Sequence, residues 1–227
     1  MTSEAQRATR PGLTRERVIE AAAAVADRTG IAGVSMRSVG RELGVEAMSL
    51  YHHVASKEAL LDALVEWLMG QISAPAPGVD WREGLTTRAR SQRSVMGGHA
   101  WGLGLVESRR SPGETLMRNY EAVLACLRGS GFPVALAAHA FSVVDAYVYG
   151  FVLTEQHLPF EPEQGADAMV EELALPPATY PRLVELLDEL VVGKRYDFGD
   201  EFDWGLELVL DGLAARLAGA GDARGSR

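Results

Sequence analysis

Apolar residues recur along this chain at spacings of three and four over nearly its whole length, and no run alternates with the period of two long enough for a strand. The pattern predicts an all-α protein. Val18, Ile19, Ala22, Val25 and Ala26 form the buried stripe of a helix from residue 15 to about 29, capped by Thr14 and closed by Gly30. Met36, Val39 and Leu43 mark a short second helix behind the N-cap Ser35, and Gly44 ends it because glycine takes the left-handed conformation without a Cβ clash. A third helix runs from Ala47 to Val54, anchored by Leu50 and Val54 and started by Glu46, a weak cap whose charge suits a helix N-terminus. Ile31, Val34 and Val45 complete a three-helix core. Gly40 sits in mid-helix at a cost of about 0.5–1 kcal/mol against alanine, which predicts a close helix crossing there.

Ser56 caps the next helix, 57 to about 72, whose Leu60, Leu61, Leu64, Val65 and Leu68 give a broad apolar face. Prolines and glycine then mark a linker at 73–79. Beyond it helices are expected at 80–96 behind Asp80, at 112–128 opened by Pro112, from 133 to about 158, at 181–192 and at 203–218. A glycine-broken segment lies at 99–107, and a proline-rich, acidic stretch at 159–178 reads as a mobile loop. The expected organisation is a flexible basic arm (1–12), a three-helix domain (13–55), a linking helix (56–72), the linker (73–79), a larger helical domain (80–219) and a flexible tail (220–227).

Composition narrows the class. The start of the chain lacks the apolar core of a signal peptide, and the most apolar stretch is interrupted by His139 and Asp145, so a cytoplasmic protein without a membrane span is expected. The single cysteine, Cys126, excludes an internal disulfide. A net charge of −9 argues against a nucleic-acid binder until its distribution is read: residues 1–57 carry eight Arg or Lys against six Asp or Glu, leaving 14 against 25 for the rest.

The stretch from Ser35 to Lys57 carries the candidate chemistry. Helix, glycine turn, helix is the arrangement in which a second helix lies in the major groove of DNA. On spacing alone a structural helix pair fits equally well. The side chains favour the groove: Ala47, Met48, Ser49 and His52 point away from Leu50 and are small, flexible or hydrogen-bonding, while Ser49, Tyr51, His53 and Lys57 can each donate to a phosphate oxygen. In the last predicted helix Leu206, Leu210, Leu213 and Leu217 recur at four, three and four, with Gly205 and Gly212 seven apart; an intramolecular core helix fits this pattern, but a dimer interface is favoured, because a symmetric DNA site needs two subunits.

The run LGVEAMSLYHHVASKEALLDAL resembles the end of the DNA-binding domain in the tetracycline-repressor (TetR) family, sharply over residues 14–70 and more faintly beyond about 158. The resemblance implies a dimeric, ligand-responsive repressor of double-stranded operator DNA, with a second domain like that of the tetracycline repressors. It assigns base reading to Arg37, Ala47, Met48, Ser49 and His52 and phosphate contact to Tyr51, His53 and Lys57. It places an effector pocket for an unknown small molecule in the second domain, where Gln92, His99, Trp101, Tyr120, Tyr147 and Tyr149 are the candidate lining, although aromatics at helical spacing are more often core. Aligned on GFVLTEQ and SRRSP, the His and Glu that hold magnesium-tetracycline in those repressors fall at Val106 and Thr154, which argues against that inducer. No cofactor is expected. His52 and His53 are adjacent on a helix without a third ligand nearby, so no metal is expected either.

Two other classes compete. An all-helical enzyme would draw on His139, Asp145, Glu155 and His157, yet the chain has no GxSxG, HExxH or phosphate-binding loop, so no enzyme is expected. A ligand-binding or scaffold protein would keep the helix pair without reading DNA.

Overall fold

Helix α1 (Arg15–Thr29) begins where Thr14 Oγ1 accepts the Arg17 N–H at 3.3 Å, and all five predicted stripe residues are buried in the computed structural model. The structure describes residues 12–109, 113–159, 165–194 and 196–225, and these are helical with no strand among them. Most of the proposed arm therefore lies outside the described residues, as does Pro112. Gly30 closes α1 at φ +69°, and a single 3₁₀ turn (Ile31–Gly33) leads to α2 (Met36–Leu43), α3 (Ala47–Leu50) and α4 (Lys57–Met69). Helix α5 (Trp81–Gly98), α6 (Gly102–Ser108), α7 (Glu114–Gly129), α8 (Val134–Glu155), α9 (Gly165–Leu173), α10 (Pro181–Leu190) and α11 (Glu201–Gly225) follow.

Three elements differ from the sequence expectation. Helix α3 stops at Leu50, and residues 51–53 form a turn in which Leu50 O receives the N–H of both His53 and Val54 at 2.9 Å; Val54 is still buried, so the anchor survives without the helix. The expected loop at 159–178 contains α9. It packs with α10 as a small satellite core of Ala166, Leu187 and Val191 flanked by Val170, Leu175 and Tyr196, a burial that short amphipathic pieces gain only from each other. Finally, α11 continues past 218 to Gly225.

The chain divides into two units, with breaks after Gln71, Gly98 and Met117. The first holds α1–α4 with α6 and the start of α7. Its core is Val18, Ala22, Val34, Val39, Leu50, Leu60, Leu64 and Leu68, formed where α1 packs on α2 and α4. Residues 99–117, which the hydrophobic pattern grouped with the second domain, belong to this first unit. Polar contacts hold them there: Asp27 receives the Trp101 indole N–H at 2.6 Å and lies 2.8 Å from His99 Nδ1, Arg109 bridges Glu58 and Asp62, and Glu66 receives the Thr115 N–H.

The second unit holds α5, the rest of α7, and α8–α11. Helix α8 packs on both α5 and α11. It is long and apolar enough to cross a membrane by length and composition, but Ala137, Ala140, Val144, Val148 and Val152 are buried within this unit, and Asp145 is paired with Arg88 of α5. Helix α8 is the core helix of a globular unit.

Candidate functional site

The helix pair is built by the local sequence. Ser35 and Ser38 form a reciprocal cap at the start of α2: Ser35 Oγ accepts the Ser38 N–H at 3.1 Å, and Ser38 Oγ accepts the Ser35 N–H at 2.9 Å. The other end of α2 closes through Gly44 at φ +69°, ψ 34°. The Gly44 N–H reaches Arg41 O at 3.2 Å and the Val45 N–H reaches Gly40 O at 2.9 Å, the paired bonds of a Schellman closure. Gly40 also explains its own presence. A Cβ there would stand 2.9 Å from Val45 O and 3.3 Å from the Ala47 backbone, so only glycine lets the chain fold back this tightly into α3.

The turn fixes what α3 presents. Leu50 is fully buried, so the opposite side of α3 must face out, and Met48 there is 73 % exposed. Tyr51, His52 and Lys57 are also exposed, as is Arg37 on α2, whereas Ala47, Ser49 and His53 are half-buried. Lys57 stands at the first turn of α4, whose N-terminal amides are capped by Ser56 through a 3.1 Å bond to Ala59 N. All eight predicted DNA residues thus belong to one unit and lie within α2, α3, the turn after it and the start of α4. Two neighbouring arginines are engaged in the protein: Arg28 grips both carboxylate oxygens of Glu42, tying α1 to α2, and Arg17 donates to Gly12 O at 2.9 Å.

The six residues predicted to line an effector pocket are divided between the two units. His99 and Trp101 belong to the first unit, where both are held by Asp27 and His99 packs edge-on against Trp67. The other four belong to the second. Tyr147 donates to Phe202 O at 2.8 Å and packs against the Phe202 ring; burial holds its phenol above the ordinary value. Tyr120 meets Phe141 edge-on at 4.7 Å, Tyr149 is half-buried on α8, and Gln92 is fully buried.

A polar centre in the second unit has no counterpart among those six except Gln92. Arg88, on the buried face of α5 with Leu85, Ala89 and Met96, donates through Nη1 to Asp145 Oδ1 at 2.6 Å and to Gln92 Oε1 at 2.8 Å. The signal was present in the sequence, because an arginine and a glutamine four apart on an apolar stripe must bury polar groups together. Nearby, Arg93 pairs with Glu155, donates to Gly199 O at 3.1 Å and lies over the rings of Phe151 and Phe202. The hydrogen bond to Glu155 is the chief reason its pKa is raised above the ordinary arginine value. Arg93 and Glu155 also line an open cavity of about 410 Å³ with Arg90, Ser94, Phe202 and Asp203.

The leucines assigned to a dimer interface face the wrong way for that role. Leu206, Leu210 and Leu213 are 0–5 % exposed within a single chain, so they are core, and Leu217 is half-buried. Helix α11 turns Trp204 and Leu208 outward instead. The acid and base candidates on α8 are likewise dispersed: Asp145 serves Arg88, Glu155 serves Arg93, His139 is exposed, and His157 Nδ1 lies 2.8 Å from Leu153 O.

Comparison with known proteins agrees with this geometry. Residues 18–64 match the model of bacterial regulatory proteins, tetR family, and residues 74–217 match the tetracyclin repressor-like, C-terminal domain. The HTH-type transcriptional repressor DrrR1 of Streptomyces coeruleorubidus is 33 % identical, covering 93 % of this chain and 81 % of its own length. Tetracycline repressor protein class D of Escherichia coli is 31 % identical, over 90 % of this chain and 91 % of its own. Among solved structures, the Streptomyces coelicolor TetR family protein ActR in complex with actinorhodin is similar at a TM-score of 0.68, with 26 % identity over 91 % of this chain and 99 % of its own. The chain belongs to the tetR family of bacterial regulatory proteins and is a helix-turn-helix transcriptional regulator.

Proposed function

We propose that this chain acts in the cytoplasm as a homodimer that represses transcription from a palindromic operator and is released by a small organic effector held in its second unit. The observation that carries the reading is the outward face of α3 and its surroundings, where Arg37, Met48, Tyr51, His52 and Lys57 are exposed above the buried Leu50. Arg37, Ala47, Met48, Ser49 and His52 read bases, with an Arg37–guanine contact worth about 1–3 kcal/mol of discrimination. Tyr51, His53 and Lys57 hold phosphates. Repression is supported by DrrR1, and ligand response by the ActR complex with actinorhodin.

The dimer forms through α8 and α11, using the outward Val143, Trp204 and Leu208 rather than the buried leucines. Each subunit then offers one α3 to half-sites about one DNA turn apart. The protein carries no catalytic role; the two carboxylates of α8, Asp145 and Glu155, serve ion pairs with Arg88 and Arg93. Magnesium-tetracycline is not the inducer, because Val106 and Thr154 supply neither imidazole nor carboxylate. The effector signal travels along the chain where it passes between the units, after Gln71, Gly98 and Met117.

Selection from fragmented genomic DNA at near-physiological salt tests the reading. A palindromic motif is expected, and Lys57→Ala is expected to lower affinity on all sequences with a salt slope shallower by about 0.9. No enrichment by folded, ligand-stripped dimer, together with unchanged DNA retention in Tyr51→Ala and Lys57→Ala, would favour a ligand-binding scaffold instead.

A further inference from the structure

Met48 breaks the pattern of the face it stands on. At 73 % exposed it is the most open large apolar side chain among the described residues, and it lies on the side of α3 opposite the fully buried Leu50. Its backbone is held in place: Met48 O accepts the Tyr51 N–H at 3.3 Å, and the close crossing at Gly40 sets the start of α3 against α2. Ala47 and Ser49 beside it are short and half-buried, so Met48 is the one long side chain that α3 itself turns outward. A single apolar residue on a protein surface is ordinary. This one is informative because the first residues of a recognition helix are those that meet base edges.

What a methionine can read follows from its chemistry. It has no hydrogen-bond donor and only a weakly accepting thioether, while its unbranched, rotatable chain moulds itself to an apolar surface. In the major groove, adenine, guanine and cytosine are marked by donors and acceptors; thymine alone adds a methyl group, at C5. Against the first three, Met48 would strip water from polar edges and return no hydrogen bond, which costs affinity. Against thymine it covers a methyl that would otherwise face water. Both effects favour the same base.

We propose that Met48 is a specificity-determining residue for thymine, packing its thioether chain on the C5 methyl of one thymine in each operator half-site. The inference rests on the base-reading face described above and names the base that this residue selects. It separates Met48 from the polar readers around it: its contribution lies in one methyl group of the DNA and in no hydrogen bond.

The test uses the full-length protein and the selected operator, in which each thymine is replaced in turn by deoxyuridine at the symmetric positions of both half-sites. That change deletes the methyl and leaves every hydrogen-bonding group of the base in place. Fluorescence anisotropy reads the affinity. Burying one methyl is worth about fourfold, hence about fifteenfold over two half-sites, and the wild-type protein is expected to lose that factor at one or more positions. At one of them, Met48→Ala and Met48→Gln are each expected to bind the thymine and deoxyuridine operators alike. The exposure of Met48 lets both variants keep the wild-type urea midpoint, which separates the effect from loss of fold. A selected operator with no methyl-sensitive thymine overturns the proposal, as does a set of methyl penalties that all persist undiminished in the two variants; either result leaves base reading by the other residues intact. Recovery of no preferred sequence by folded, ligand-stripped protein refutes the base-reading face itself, and the assignment of Met48 falls with it.

Discussion

Gly40→Ala separates two effects of opposite sign at the turn between α2 and α3. An alanine in the middle of a helix gains about 0.5–1 kcal/mol over glycine, so propensity alone predicts a more stable protein. The structure predicts the reverse. The new Cβ would stand 2.9 Å from Val45 O and 3.3 Å from Ala47 N and Cα, and these are backbone atoms that cannot rotate away like the end of a side chain. The same turn also carries the Val45 N–H to Gly40 O bond, so moving Val45 strains the closure of α2. Overpacking a tight site costs about 1–3 kcal/mol, and the net expectation is a loss of about 1–2 kcal/mol once propensity is subtracted. Because the displaced segment is the start of α3, operator affinity should fall further than stability does. Urea unfolding of full-length protein reads the first quantity and fluorescence anisotropy on the selected operator the second. Gly97→Ala provides the control, since nothing lies within 4 Å of its Cβ, and it is expected to hold or gain stability. A Gly40→Ala protein that unfolds at or above the wild-type midpoint and binds operator normally would refute the reasoning.

Other perturbations follow from the same contacts. Ser35→Ala removes the acceptor for the Ser38 N–H and should cost about 1 kcal/mol in urea unfolding, whereas Glu46→Ala, whose side chain makes no cap bond at α3, should change stability by less than about 0.5 kcal/mol; equal effects would contradict the capping account. Arg88→Met strands the buried Asp145 carboxylate and should cost about 3–5 kcal/mol, much of it recovered in Arg88→Met/Asp145→Leu; a double variant as unstable as the single one would show that the pair is not the cause. Burial raises the Cys126 thiol above its ordinary value, which favours the protonated form in the folded protein. Iodoacetamide should therefore label native protein slowly at neutral pH and faster only as pH rises past the ordinary thiol range, and neutral labelling as fast as in urea would count against it.

What the sequence disclosed follows from how local each feature is. Gly30, Gly44, Thr14, Ser35 and Ser56 act within a few residues of themselves, and each closes or caps the helix that the pattern assigned to it. Gly40 was legible as a crossing for the same reason. The face of α11 was not legible, because Leu206, Leu210 and Leu213 turn inward while Trp204 and Leu208 turn outward, and apolar residues on both sides of a helix leave no period to choose between them. Helix α9 was hidden in a proline-rich, acidic stretch since its stability comes from Leu187 of α10 and Val191 just after it rather than from its own composition. His99 and Trp101 read as ligand-facing aromatics, and only the fold shows that Asp27, far away in sequence, claims them both.

That last contact has a consequence for how such regulators are recombined. The first unit is assembled from two separate stretches, so a single crossover near residue 72 cannot exchange the DNA-reading part for another without also changing what docks against α1 and α4. A chimera joined there would bring a foreign 99–117 segment to Asp27, Glu58, Asp62 and Glu66, and it would lose the indole, guanidinium and amide donors that these carboxylates hold here. Grafting the DNA specificity of this protein onto another sensor therefore calls for two exchanges, the second carrying His99, Trp101, Arg109 and Thr115 with it, and inherited swaps between such genes should be tolerated only where those four partners travel together.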